Sequence, residues 1–160
     1  MKPEIRAAVF SDTHSATAMM LSAIRRCRPD VVIHLGDYER DAEKIRTEFP
    51  EVALYNVAGN CDMYPSAPNA DIVPLGPVKA FITHGHLYNV TRNYVDSLVY
   101  AAQEQGAQIA MFGHTHRAVN DQLGGVTVIN PGSSGKGVAP TFALVEVFDN
   151  GAVSCEIREL

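Results

Sequence analysis

The sequence predicts an α/β fold in which two mixed β-sheets face each other with helices on the outside. Three observations predict it. Short apolar runs alternate with segments of helical period, and those runs end in small polar motifs, as strands of open α/β sheets do at their ligand-binding carboxyl ends. In the second half of the chain, glycine-rich turns separate short strands, and the last pair alternates apolar and polar residues, the mark of a half-buried antiparallel hairpin.

The elements follow in order. Strand Ile5–Phe10 leads into Asp12. A helix from about Ala16 to Arg26 puts Met20, Ile24 and Cys27 on one face, and Pro29 stops it. Val31–Leu35 is apolar nearly throughout, as a parallel strand covered on both faces should be. Ala42, Ile45 and Phe49 mark a short second helix ended by Pro50, and strand Val52–Val57 delivers Gly59-Asn60. Met63 to Ala70 holds two prolines and no period, and reads as a loop beside the motifs. Ile72–Leu75 and Val78–Thr83 bracket the turn Gly76-Pro77. Val95, Leu98, Val99 and Ala102 define a third helix closed by Gly106, before strand Ile109–Phe112. Gly124-Gly125 and Asp149-Asn150-Gly151 are hairpin turns, the second joining Val145/Val147 to Val153/Cys155/Ile157.

Length and composition bound the function. The 160 residues fit one domain, residues 1–160, long enough for a real core. No apolar run approaches the ~18 residues that span a bilayer, so no membrane partner is expected. Met1-Lys2-Pro3-Glu4-Ile5-Arg6 contains an acid and runs into a strand, unlike a secretory leader. Three irregularly spaced cysteines suit reduced thiols. A cytoplasmic location is the resulting expectation. The formal charge is −5 with no basic run, so the chain lacks the stripe that exchanges counterions along duplex nucleic acid. A small substrate is favoured over a long polyanion.

Five motifs carry the chemistry: Asp12-Thr13-His14, Gly36-Asp37, Gly59-Asn60-Cys61-Asp62, His84-Gly85-His86 and Gly113-His114-Thr115-His116. They hold five of the six histidines, and each follows an apolar strand, so they should converge on one site. The donor set of carboxylate, imidazole and amide oxygen suits hard or borderline divalent ions. Asp12 and His14, two apart, can share a direction. Gly36 lets the chain turn sharply into Asp37. Taken singly, Asp37 reads equally as a surface turn and Asn60 as a tight-turn residue. His34 lies inside its strand and is read as a buried histidine that orients Asp37 rather than as a ligand. Gly132-Ser133-Ser134-Gly135-Lys136 lacks the glycine at 130 and the hydroxyl at 137 that a nucleotide P-loop needs. Asn130-Pro131-Gly132-Ser133 is instead a structural turn bordering the site.

The order D-x-H, G-D, G-N, H-G-H, G-H-x-H over residues 11 to 133 resembles the calcineurin-like metallophosphoesterases. Gly59-Asn60-Cys61-Asp62 and Asn130-Pro131-Gly132-Ser133 are similar to the small prokaryotic phosphodiesterase branch. The resemblance implies a four-layer αββα sandwich and two divalent metal ions. It assigns Asp12, His14 and His116 to one ion, Asn60, His84 and His114 to the other, and Asp37 to the bridge. Manganese is the first expectation, with nickel, cobalt, iron or zinc fitting the same donors. Two bridged ions about 3.5–4 Å apart would lower the pKa of a shared water, and the resulting hydroxide would attack phosphorus in line. The implied function is a phosphodiesterase on small phosphodiesters, with Asp37, Asn60 and His86 in the catalytic centre. A phosphomonoesterase differs only in how substrate phosphate is held, and a metal-binding scaffold of the same fold, in the manner of a eukaryotic retromer subunit, is the competing class. A homo-oligomer is compatible with the sequence.

Three positions keep alternatives. His86 either contacts substrate phosphate or packs behind the ligands. Arg40 and Arg117 flank motifs and either bind phosphate or are simply solvated. Cys61 stands where many relatives carry a histidine proposed as general acid; it is either a leaving-group residue or a small buried thiol that packs.

Overall fold

The computed structural model describes residues 1–160. Ten strands form two five-stranded mixed sheets. In the first, β1 (Ile5–Phe10), β2 (Val31–His34) and β3 (Ala53–Asn56) run parallel. Strand β9 (Thr141–Val147) pairs antiparallel with β1, and β10 (Val153–Glu159) with β9. In the second, β5 (Val78–Thr83), β6 (Ile109–Met111) and β8 (Val126–Asn130) are parallel. β4 (Ala70–Leu75) and β7 (Val119–Leu123) close its two edges antiparallel.

The alternation of side chains explains the layers. Ala7, Val9, Val31 and Ile33 of one sheet meet Leu75, Ala80, Ile82, Ile109, Met111 and Ile129 of the other in a central core. The neighbouring residues Ala8, Phe10 and Val32 point the opposite way, against Met20 and Ile24 of α1 (Ala18–Cys27) and Ile45 of α2 (Glu39–Glu48). Phe81, Ala110 and Val128 likewise pack on Leu98, Val99 and Ala102 of α3 (Asp96–Glu104). Both faces of these strands are covered, so they read as continuous apolar runs. The result is the αββα order expected of the chain.

Element ends differ from the sequence reading where the motifs claim residues. Helix α1 starts at Ala18 rather than about Ala16, because Asp12, His14 and Ser15 take left-handed φ values of 55°, 47° and 71° to build the motif loop. Leu35, Val57 and Phe112 lie just beyond their strands, at the start of the loops. Helix α3 ends as expected. Gly106 adopts φ 67°, its amide bonding Gln103 at 3.0 Å while that of Ala107 bonds Ala102 at 2.9 Å, which is a Schellman closure.

Parallel direction is what positions the site. The carboxyl ends of β1, β2 and β3 deliver Asp12, Asp37 and Asn60 to the edge where β5 and β6 deliver His84 and His114.

Candidate metal centre

The motif side chains meet in one cluster. Asp12 Oδ1 lies 3.2 Å from His116 Nε2, 3.8 Å from His84 Nε2 and 3.9 Å from His14 Nε2. The two oxygens of Asp37 face different partners: Oδ2 is 3.7 Å from His14 Nε2 and Oδ1 is 3.5 Å from His84 Nε2. His114 Nδ1 is 3.0 Å from Asn60 Oδ1, and its ring centroid is 5.2 Å from that of His84. Two groups of converging donors result, Asp12/His14/His116 and Asp12/Asp37/His84. Asp12 belongs to both, and Asp37 reaches towards both through its separate oxygens.

Three of the candidate ligands are held from behind. Asp12 Oδ2 accepts hydrogen bonds from Ser11 Oγ at 2.5 Å and from the His114 amide at 3.1 Å. His84 Nδ1 donates to the Leu35 carbonyl at 2.7 Å, which leaves Nε2 facing the cluster. Asp37 Oδ1 accepts from the Cys61 amide at 3.0 Å. Burial pushes the Asp37 carboxyl up, but the Cys61 amide and the charge of His84 outweigh it and leave it below the usual range.

The arrangement passes a physical test for bound cations. Asp12 Oδ1, His14 Nε2, His84 Nε2 and His86 Nδ1 are buried with no hydrogen-bond partner. Buried polar atoms left unpaired on this scale are costly unless another group takes them up. Asp12 and His84 are wholly buried and Asp37 nearly so. Buried carboxylates side by side need cations to offset their repulsion and lost hydration. Burial also lowers the pKa of His14, His86 and His114, keeping these imidazoles neutral and able to ligate. Backbone strain points the same way. Asp12, His14, Asp37, His114 and His116 all hold positive φ, a conformation that non-glycine residues adopt at a cost and that clusters at functional sites. Close approach is purchased with glycine: a Cβ at Gly59 would overlap the Asp37 carboxylate, and one at Gly113 would overlap Ser11 Oγ.

The flanking positions divide. The ring of His86 sits 5.5 Å from that of His84 and 6.3 Å from that of His114. Arg40 bonds Ser15 Oγ at 3.0 Å and lies 5.1 Å over the Tyr38 ring, whereas Arg117 is exposed. Cys61 is exposed, so it is not the buried packing thiol that one reading allowed; desolvation and the Asp37 charge push its thiol pKa up. Asn130 donates to the Gly113 carbonyl and to Thr115 Oγ1 at 3.0 and 3.1 Å, and Ser133 Oγ to the Asp12 carbonyl at 3.0 Å. The turn at 130–133 therefore ties two motif loops together.

His34 requires a correction. It makes no bond to Asp37. Its Nε2 lies 3.0 Å from Thr13 Oγ1, and its Nδ1 accepts the Gly36 amide at 3.3 Å. The acid in this network is Asp41, which sequence reasoning missed. Asp41 is fully buried on α2 and accepts from Thr13 Oγ1 at 2.6 Å and the Ser15 amide at 2.9 Å. The signal was its place one helical turn before Ile45, on the apolar face of α2. Asp62 was also missed. It accepts the Gly59 amide at 2.8 Å and the Glu39 amide at 2.7 Å, so it orders the Asn60 loop and caps α2 together.

With this geometry in place, comparison with known proteins is specific. Residues 5–150 match the model of the calcineurin-like phosphoesterase superfamily domain. A probable metallophosphoesterase of Bacillus subtilis, YsnB, is 33% identical over 128 residues, spanning 78% of this chain and 72% of that protein. Phosphodiesterase MJ0936 of Methanocaldococcus jannaschii is 26% identical over 141 residues, 78% of this chain and 81% of its own length. In fold alone, the zinc complex of Vps29 from Entamoeba histolytica superposes with a TM-score of 0.75 at 21% identity, covering 97% of this chain and 99% of that one. The donors, their strand-end placement and the family match agree, and the chain belongs to the calcineurin-like phosphoesterase superfamily.

Proposed function

We propose that the chain is a metal-dependent phosphodiesterase acting on small phosphodiesters. One observation carries the reading: Asp12, His14, Asp37, His84 and His116, from four separate loops, bring their ligand atoms together in two overlapping groups, and three of those atoms (Asp12 Oδ1, His14 Nε2, His84 Nε2) are buried with no hydrogen-bond partner. Asp12, His14 and His116 would hold one divalent ion and Asn60, His84 and His114 a second, with one oxygen of Asp37 turned to each side. When bound, such ions supply an activated water and neutralise phosphoryl oxygens.

The chain's own residues supply the rest. Ser11, the His114 amide and the Leu35 carbonyl hold Asp12 and His84 in place, so ligand geometry is set before substrate arrives. His86 is neutral and unpartnered at Nδ1, and we assign it to the phosphoryl oxygens. Burial first, and the positive charge of Lys136 second, depress the His14 pKa. The net charge of −5 and lack of a basic stripe support a small substrate over duplex DNA. The name of MJ0936 supports a diester over a monoester.

The test is hydrolysis of bis(p-nitrophenyl) phosphate, p-nitrophenyl phosphate and duplex DNA with manganese, nickel, cobalt, iron or zinc, each repeated after chelation. The expected order is diester first, with manganese best and no activity after chelation. Faster monoester turnover makes the chain a phosphomonoesterase. Metal binding without turnover of any ester makes it a scaffold.

A further inference from the structure

Beside the candidate metal centre lies a cleft of about 700 Å³ lined by Tyr38, Glu39, Arg40, Glu43, Cys61, Asp62, Met63 and Ser66. Two of these residues join it to the site. Tyr38 follows Asp37 and sets its ring 4.9 Å from that of His14, nearly edge-on at 68°. Cys61 follows Asn60, and its amide bonds Asp37.

The wall chemistry is selective. Its acids already have partners: Asp62 accepts two backbone amides, Glu39 accepts those of Ser66 and Ala67, and Glu43 pairs with Arg46 at 3.4 Å. What remains for a ligand is the Tyr38 ring with the Arg40 guanidinium packed over it, the Cys61 thiol and the Met63 thioether. Met63 is 83% exposed and Tyr64 next to it 94%, so two adjacent large side chains beside the site present apolar surface to water. Met63 sits on a loop that is held firmly. Glu39 anchors residues 66 and 67, and the Ala58 amide bonds the Pro68 carbonyl at 2.9 Å. Methionine contacts aromatic edges favourably, and arginine stacks on aromatic faces. A volume of this size accommodates a small-molecule group rather than a chain.

We propose that this cleft binds a planar aromatic ester arm, so that the substrates are phosphoesters carrying an aryl or nucleobase-like group. This rests on the phosphoesterase reading of the adjoining centre. The arm would lie between Met63 and the Tyr38–Arg40 pair, with its phosphate at the candidate ligands.

The experiment measures binding of phenylphosphonate and methylphosphonate to the manganese-loaded protein by calorimetry, for the unmodified chain and for Met63→Ala. Neither phosphonate can be hydrolysed, and Met63 is exposed enough that its removal leaves the core intact. Turnover of bis(p-nitrophenyl) phosphate is followed in the same samples. The expected result is about tenfold tighter binding of phenylphosphonate. Met63→Ala should reduce that preference severalfold, with methylphosphonate and manganese affinities unchanged. Equal affinity for the two phosphonates, or a preference indifferent to Met63→Ala, overturns the cleft while diester turnover persists. Loss of phosphonate binding together with absence of turnover in the manganese-loaded protein overturns both the cleft and the reading beneath it.

Discussion

Asp37 is the residue on which the proposed site depends most, because its two oxygens face different histidines, at 3.7 and 3.5 Å. Asp37→Asn removes the charge and one anionic oxygen, and should abolish diester turnover and lower occupancy of both ions. Metal content after dialysis and anomalous scattering from soaked crystals measure this; two fully occupied ions in the variant would refute the bridging role. Cys61 makes a different prediction. Its thiol is exposed beside Asp37 and pushed towards the protonated form, while bound cations would pull it towards thiolate. In neither state does it match an imidazolium as proton donor. Activated aryl diesters should therefore turn over far faster than alkyl diesters. Cys61→His should narrow that gap, and Cys61→Ala should cost little on aryl substrates. Loss of aryl activity in Cys61→Ala with metal content intact would show a catalytic role for the thiol.

At the scale of elements, helix α2 does more than cover a sheet. Its first turn binds two motif loops, through the Glu39 amide to Asp62 and through Asp41 to Thr13 and Ser15. The loop from Asp12 to Ser15 contains three left-handed residues, and Asp41 is the buried acceptor that holds it there. Asp41→Ala should lower divalent metal affinity by roughly tenfold, in the range for residues that orient ligands. It should also destabilise the chain by about 1–3 kcal/mol, because the Thr13 hydroxyl and the Ser15 amide lose their acceptor. Asp41→Asn keeps an acceptor oxygen and should recover part of both losses. Calorimetric metal titration with thermal melting checks the pair; unchanged metal affinity in Asp41→Ala would leave the network a purely structural one.

For the whole molecule, metal loading and pH should be coupled. A ligand that binds only the folded state at about 100 times its Kd adds about 2.7 kcal/mol, which for a chain of this size raises Tm by roughly 5–10 °C. Chelation should reverse the rise. Burial lowers the pKa of His14 and His114 below 6.5, so these rings remain neutral at neutral pH, and the metal-dependent rise should persist down to about 6.5 and vanish as pH falls through the lowered values. The metal-free protein has its own dependence. His34 is fully buried with a lowered pKa, so below pH 6.5 the unfolded chain binds the proton more readily than the folded one. Stability is then complete above 6.5 and declines as pH falls towards the folded value; melts from pH 5 to 8 without metal test this, and a flat profile would refute it. The sequence by itself determined the sheet-and-helix order and the place of the donor motifs, because strand burial, turn glycines and motif position are local patterns. Fold class was legible for that reason, down to the Gly106 closure of α3. Tertiary structure alone decided which oxygen faces which imidazole, that His34 serves Thr13 rather than Asp37, and that Asp41 and Asp62 clamp the loops. Most of those contacts join residues more than 20 positions apart, and their energies depend on burial and direction, which no local pattern encodes.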